Sequence, residues 1–183
     1  MANLAKIDVL FDELKFREMI LYIAERTMDD PNFGKTKMAK TLWISDFLSF
    51  IRNGKPISGA TYQKLTFGHA AREFIPTISK MKPHEIAEAQ QDIFGNDSTR
   101  YVALRKPNLN LFTAQEISVI DLVINKVKGM TAVELSELSH KSFGWAKSEL
   151  NENIPYCTAL IPRERINLSS ADIEYGKALA ANL

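Results

Sequence analysis

The chain has 183 residues, 45% apolar and 25% charged, the size and balance of one ordinary globular domain able to bury its own core. Lys and Arg total 23 against 22 Asp and Glu, which gives no electrostatic argument for nucleic acid, and the basic runs at 105–107 and 163–165 are too short to form a patch. A single cysteine, Cys157, excludes a disulfide framework and a cysteine-built zinc site.

The opening segment carries Lys6, Asp8, Asp12 and Glu13, charges that break a signal-peptide core. No run approaches the ~20 apolar residues of a membrane span. The expectation is a cytoplasmic protein with no membrane partner.

Residues 7–28 place Ile7, Leu10, Phe11, Leu14, Ile20, Ile23 and Ala24 at helical spacing without Pro or Gly, which predicts one or two helices. "DDPNFG" at 29–34 reads as a loop. Residues 35–52 form the strongest helical pattern. Met38, Ala39, Leu42, Trp43, Phe47, Phe50 and Ile51 fill one broad arc, as expected of a helix deep in a core. Asp46 falls inside that arc, where a carboxylate must be hydrogen-bonded or paired. The helix stops at Asn53-Gly54, where glycine can take the left-handed conformation, and Pro56 is a further stop.

Residues 60–67 read as a short strand, 71–81 as a helix with Pro76 as kink or boundary, and 84–94 as another short helix. A turn at 95–99 precedes the best strand pattern, 100–106. Thr113 to Glu116 is a capping box, followed by Ile117, Ile120, Val123, Ile124 and Val127 on one face up to Gly129. Thr131 to Glu134 is a second box, whose helix carries Leu135 and Leu138 to His140. Residues 142–150 read as a short helix, and 154–162 as a strand or extended segment. Ser169 to Asp172 caps a last helix ending near Ala181. The pattern predicts a mainly α, α+β fold with a small antiparallel sheet, as one globular domain over 1–183 with its core at about 10–181.

The "GKPISG" turn at 54–59 looks like a phosphate cradle. A P-loop, however, needs its lysine after the second glycine, with a strand before it and a helix after it. Here lysine follows the first glycine and a helix precedes, so the turn reads as a hinge. His69, His84 and His140 share no metal-binding spacing and read as surface or satisfied histidines. Cys157 reads as a small core residue. His140 and Trp145 suggest a tertiary contact fixing a corner. Glu85, Glu88 and Asp92 read as a solvated helix face, and "KTKMAK" and "KMKPHE" as exposed lysines. No catalytic residue, metal ligand or cofactor is assigned, and the expectation is a protein that is not an enzyme.

Three stretches carry a family resemblance: "FGKTKMAKTLWISDF" at 33–47, "GKPISGATYQKLTFG" at 54–68 and "LSHKSFGWAKSELNENIPY" at 138–156. In order and spacing they resemble the Panacea domain of SocA-like antitoxins, over roughly residues 10–181. The chain departs where that family commonly has Gly-Pro-x-Pro, because Gly68-His69-Ala70-Ala71 lacks both prolines and so loosens the constraint on the bend. The resemblance implies structural or interaction roles for Asp46, Gly54, Pro56, Gly59, Tyr62, Gly68, His140 and Trp145. It leads us to expect that Asp46 anchors the hinge by accepting backbone N–H bonds near residues 57–62.

The function implied is an antitoxin that neutralises a cognate toxin from the adjacent gene by direct binding, with delivery to a protease as a variant. The alternatives are a phage or mobile-element accessory protein with a non-toxin target and, against the neutral charge, a DNA-binding regulator. Tyr62, Phe67 and Phe74 are candidates either for a partner surface or for the core.

Overall fold

A computed structural model describes residues 9–93 and 96–161. The expected last helix at 169–181 lies outside the described residues. Within them the fold is mainly helical, with two antiparallel two-stranded sheets.

Helix α1 (Glu13–Arg26) starts where the Asp12 side chain accepts from the Lys15 N–H. It is a single helix, and residues 9–12 before it run along the hinge, with Asp12 N–H donating to the Ser58 carbonyl at 2.8 Å. Helix α2 (Lys35–Asn53) is the centre of the molecule and contacts α1 and five later elements. Gly54 ends it in the left-handed conformation, φ 73°, with its N–H on the Phe50 carbonyl.

The expected strand at 60–67 is a hairpin, β1 (Tyr62–Leu65) with β2 (Gly68–Ala71), paired from Tyr62↔Ala71 to Leu65↔Gly68. "GHAA" carries little strand propensity, so only pairing reveals β2. Helix α3 (Phe74–Met81) holds Pro76 in its first turn, where the missing N–H has no intrahelical acceptor and costs nothing.

The helix expected at 84–94 is instead strand β3 (Ile86–Ile93), paired in full register with β4 (Asn96–Ala103). Ala, Glu and Gln favour a helix locally, but the ladder with β4 and the burial of Ile86 and Tyr101 override that preference. Residues 96–99, expected in a turn, belong to β4. The strand expected at 100–106 begins earlier and ends at Ala103.

Helices α4 (Ala114–Val127) and α5 (Ala132–His140) both open with complete capping boxes, Thr113 with Glu116 and Thr131 with Glu134. The short α6 (Phe143–Lys147) starts at Ser142. The stretch expected as strand or extended at 154–162 instead forms, within its described part, a 3-10 turn at Tyr156–Leu160, preceded by a bridge between Asn153 and Gln63. One core joins Phe16, Ile20 and Ile23 of α1, Met38, Leu42 and Phe50 of α2, Ile78 and Met81 of α3, and Val119, Ile120 and Val123 of α4. No helix among the described residues is long and apolar enough to cross a membrane.

Candidate functional site

The arc of α2 that carries Asp46 faces the core, and Asp46 is fully buried. Its Oδ1 accepts the N–H groups of Ile57 at 2.9 Å and Ser58 at 2.7 Å. Its Oδ2 accepts the Ser58 hydroxyl at 2.5 Å and the Tyr62 hydroxyl at 2.8 Å. Those donors fill the carboxylate's four acceptor sites. The Tyr156 hydroxyl has a single proton, and it goes to the Ala60 carbonyl at 2.7 Å rather than to Asp46 Oδ2 at 3.5 Å. Burial pushes the Asp46 carboxyl above the usual carboxylate range, while Ser58, Tyr62 and Ile57 pull against it. Burial and the neighbouring Asp46 keep the Tyr62 hydroxyl protonated. The hydrogen bonds expected of Asp46 are therefore present, and they tie residues 57–62 to the middle of α2.

The hinge glycines differ in what they do. Gly54 and Gly59 both have positive φ, but a side chain at Gly54 would meet open space, whereas a Cβ at Gly59 would lie 2.2 Å from the Leu10 carbonyl oxygen. Gly59 thus allows the 9–12 strap to lie on the hinge. Pro56 is half-buried and lines the same depression as Gly54 and Gly59.

A second cluster holds the β1–β2 turn. Trp145 Nε1 donates to the Leu65 carbonyl at 3.0 Å, and His140 Nε2 lies 3.1 Å from the Thr66 carbonyl. A carbonyl only accepts, so His140 carries a proton on Nε2. The two rings stack at 4.1 Å, and Lys64 Nζ sits 4.2 Å from the centre of the Trp145 ring while donating to the Ser148 carbonyl. The corner contact expected of His140 and Trp145 is in place, and its purpose is to hold the hairpin. Gly68, φ 99°, comes so close to α2 and α5 that a Cβ would fall 2.3 Å from Ser139 Oγ and 2.6 Å from Lys40 Nζ.

His69 connects the two clusters. It stacks on Trp43 at 4.1 Å with the planes 9° apart. Its backbone N–H donates to Ser139 Oγ at 2.8 Å, and its Nδ1 lies 2.7 Å from the same oxygen. Ser139 Oγ thus meets both the backbone N–H and the ring Nδ1 of His69, while Nε2 lies 3.4 Å from Ser142 Oγ. Burial, with Lys40 beside it, drives the ring's pKa down to about 3, so His69 is neutral. A proline at this position has no N–H to give Ser139. Where the family commonly places a proline, this chain holds the bend through hydrogen bonds from a histidine.

Several sequence expectations are corrected here. Lys37 and Lys40 are buried, not exposed. Lys37 pairs with Asp30 at 2.9 Å, and Lys40 donates to the His69 carbonyl at 2.9 Å, its pKa lowered to about 7 by burial. Cys157 is exposed. Tyr62 and Phe74 are core, whereas Phe67 is 71% exposed at the hairpin tip. Glu85 is not part of a solvated helix face. It is paired with Arg17 and Arg105, and Arg105 also binds Glu18. The burial of Ser58, Ser139 and Lys40 escaped the sequence reading, because nothing in their local pattern marks a serine or lysine that folding will bury. Tyr156 had one signal, its place in the Ile-Pro-Tyr stretch.

Asp46 and Tyr62 thus meet in one cluster, Gly68, His140 and Trp145 in another, and Gly54, Pro56 and Gly59 in the loop leading to the first. Together they define a helix-centred α+β domain with a carboxylate-anchored hinge and a pinned hairpin. The family model for the antitoxin SocA-like Panacea domain matches residues 38–146. That stretch is more than half of the chain and contains both clusters, and the chain belongs to the Panacea family of SocA-like antitoxins. No curated protein and no solved structure matches the chain.

Proposed function

We propose that the chain is an antitoxin that neutralises a toxin encoded by the adjacent gene through direct protein–protein binding in the cytoplasm, with no catalytic step and no cofactor. The matched Panacea domain is the observation that carries this reading. The geometry is compatible with it. Asp46, His69 and His140 are each engaged in hydrogen bonds that hold the hinge and the hairpin. A scaffold fixed in this way presents its surface loops preorganised, which lowers the ordering cost of association. An interface of about 1,200–2,000 Å² in total suffices for a stable complex.

The test is growth rescue. The neighbouring open reading frame is induced with and without this chain. Arrest by the neighbour alone and recovery with the chain support the antitoxin reading, and a harmless neighbour overturns it. A stable co-purified pair would identify occlusion as the mechanism. Loss of the toxin that depends on a cellular protease would identify delivery.

A further inference from the structure

A groove of about 440 Å³ lies between β4 and α1, lined by residues 100–106 and by Ala24, Glu25 and Met28. Successive strand residues point to opposite faces, so a groove touching the last four residues of β4 in a row follows the edge of the strand rather than either face, and it continues along 104–106 beyond the strand. The ladder phase tells what that edge offers. The Leu104 N–H donates to the Glu85 carbonyl at 2.9 Å. With Ala87 opposite Val102 and Ala89 opposite Arg100, the antiparallel alternation directs the N–H and C=O groups of Arg100 and Val102 at β3. Those of Tyr101 and Ala103 then point to the other edge. Among the described residues β4 has no strand neighbour there, and none of them hydrogen-bonds these four groups.

The side chains along the groove are apolar in the middle and cationic at the ends. Met28, Val102 and Leu104 are 67%, 39% and 52% exposed. The Arg100 guanidinium donates to the carbonyls of Thr27 at 2.8 Å and Asp30 at 3.1 Å, and to that of Met28, and it has no carboxylate partner among the described residues. Lys106 is exposed and has no ion partner among the described residues. Arg105 is neutralised by Glu18 and Glu85. Glu25 is the one carboxylate in the lining.

We propose that this groove docks an extended segment of a partner protein as a third strand beside β4. The segment's backbone pairs with Tyr101 and Ala103, its apolar side chains cover Met28, Val102 and Leu104, and its carboxylates face Arg100 and Lys106. Adding a strand to an open edge provides affinity through main-chain bonds and specificity through alternate side chains. It also completes a two-stranded ribbon, which is marginal by itself. The antitoxin reading enters only in naming the partner as the toxin. Cations flanking an edge can also serve merely to repel other strands, and the experiment distinguishes the two roles.

A displayed library of short random peptides is panned on the full chain, then on two variants. Ala103→Pro removes an N–H that the β3–β4 ladder does not use. Lys106→Glu reverses an exposed charge whose side chain makes no hydrogen bond or ion pair among the described residues. The expected result is enrichment of peptides that alternate apolar and acidic residues. Each variant should weaken their binding about tenfold or more, and the Tyr101 and Ala103 amides should gain protection from hydrogen exchange in the complex.

An absence of such peptides overturns the proposal, as does equal binding to a folded Ala103→Pro or, should that variant not fold, to Lys106→Glu. Self-association of Lys106→Glu without peptide binding would show that the cations only guard the edge. A dimer of the free chain that Ala103→Pro dissociates would make a second copy the occupant and also overturn the proposal. The library contains no toxin, so a failed growth rescue and a failed peptide selection remain separate results.

Discussion

The Tyr62 hydroxyl donates to Asp46 Oδ2 at 2.8 Å, joining the first strand of the hairpin to the middle of the central helix inside the buried core. This bond closes a cycle. Ser58 and Ile57 hold the other lone pairs of the same carboxylate, and the hinge between them cannot move without leaving several donors unpaired.

Asp46→Ala should therefore lower unfolding free energy by about 3 kcal/mol, since it orphans two backbone N–H groups and two hydroxyls at once. Tyr62→Phe removes one donor and should cost about 1 kcal/mol. Urea unfolding of both variants checks the ranking, and equal losses would contradict the four-donor account.

Gly54 and Gly68 provide a comparison of two glycines with positive φ. Gly54→Ala suffers only the left-handed backbone penalty, about 1 kcal/mol, because the space around it is open. Gly68→Ala must also displace Ser139 Oγ and Lys40 Nζ, and should cost at least about 2 kcal/mol. Thermal melts of the two variants provide the test.

The Trp145 indole and the His140 ring both hold the hairpin turn, and they stack on each other. Removing either should loosen the turn, and removing both should cost less than the sum. A double-mutant cycle with His140→Ala and Trp145→Phe should give a coupling of about 0.5–1.5 kcal/mol. Strict additivity would mean that the two rings act independently.

His69 predicts acid sensitivity. Its folded pKa lies near 3, below the ordinary value of 6.5, so the unfolded chain binds the extra proton between those two values. Its contribution is complete above pH 6.5 and is lost as the pH falls towards 3. His69→Gln should flatten that part of the stability profile. Lys40 behaves the same way at higher pH. Its folded pKa near 7, against 10.5, makes stability rise with pH from about 7 to 10.5, and Lys40→Met should remove that rise. Denaturant midpoints measured across pH check both signs.

Local chemistry determined much of this protein before any tertiary contact forms. The capping boxes at Thr113 and Thr131, the left-handed stop at Gly54 and the apolar arc of α2 each depend on groups within a turn or two of one another, so they can be read along the chain. The burial of Asp46 followed from its place in that arc, and the need for hydrogen-bond donors followed from its burial. The tertiary structure decided what local preference could not. Residues 86–93 became a strand because β4 offered a ladder, against a helical propensity of their own. Lys37 and Lys40 were buried because Asp30 and the His69 carbonyl came to meet them. His69 stands at the bend because Ser139, 70 residues away, accepts the N–H that a proline would lack. The edge of β4 that no described strand pairs belongs to the same class, since a strand reveals its unpaired side only once its neighbour is known.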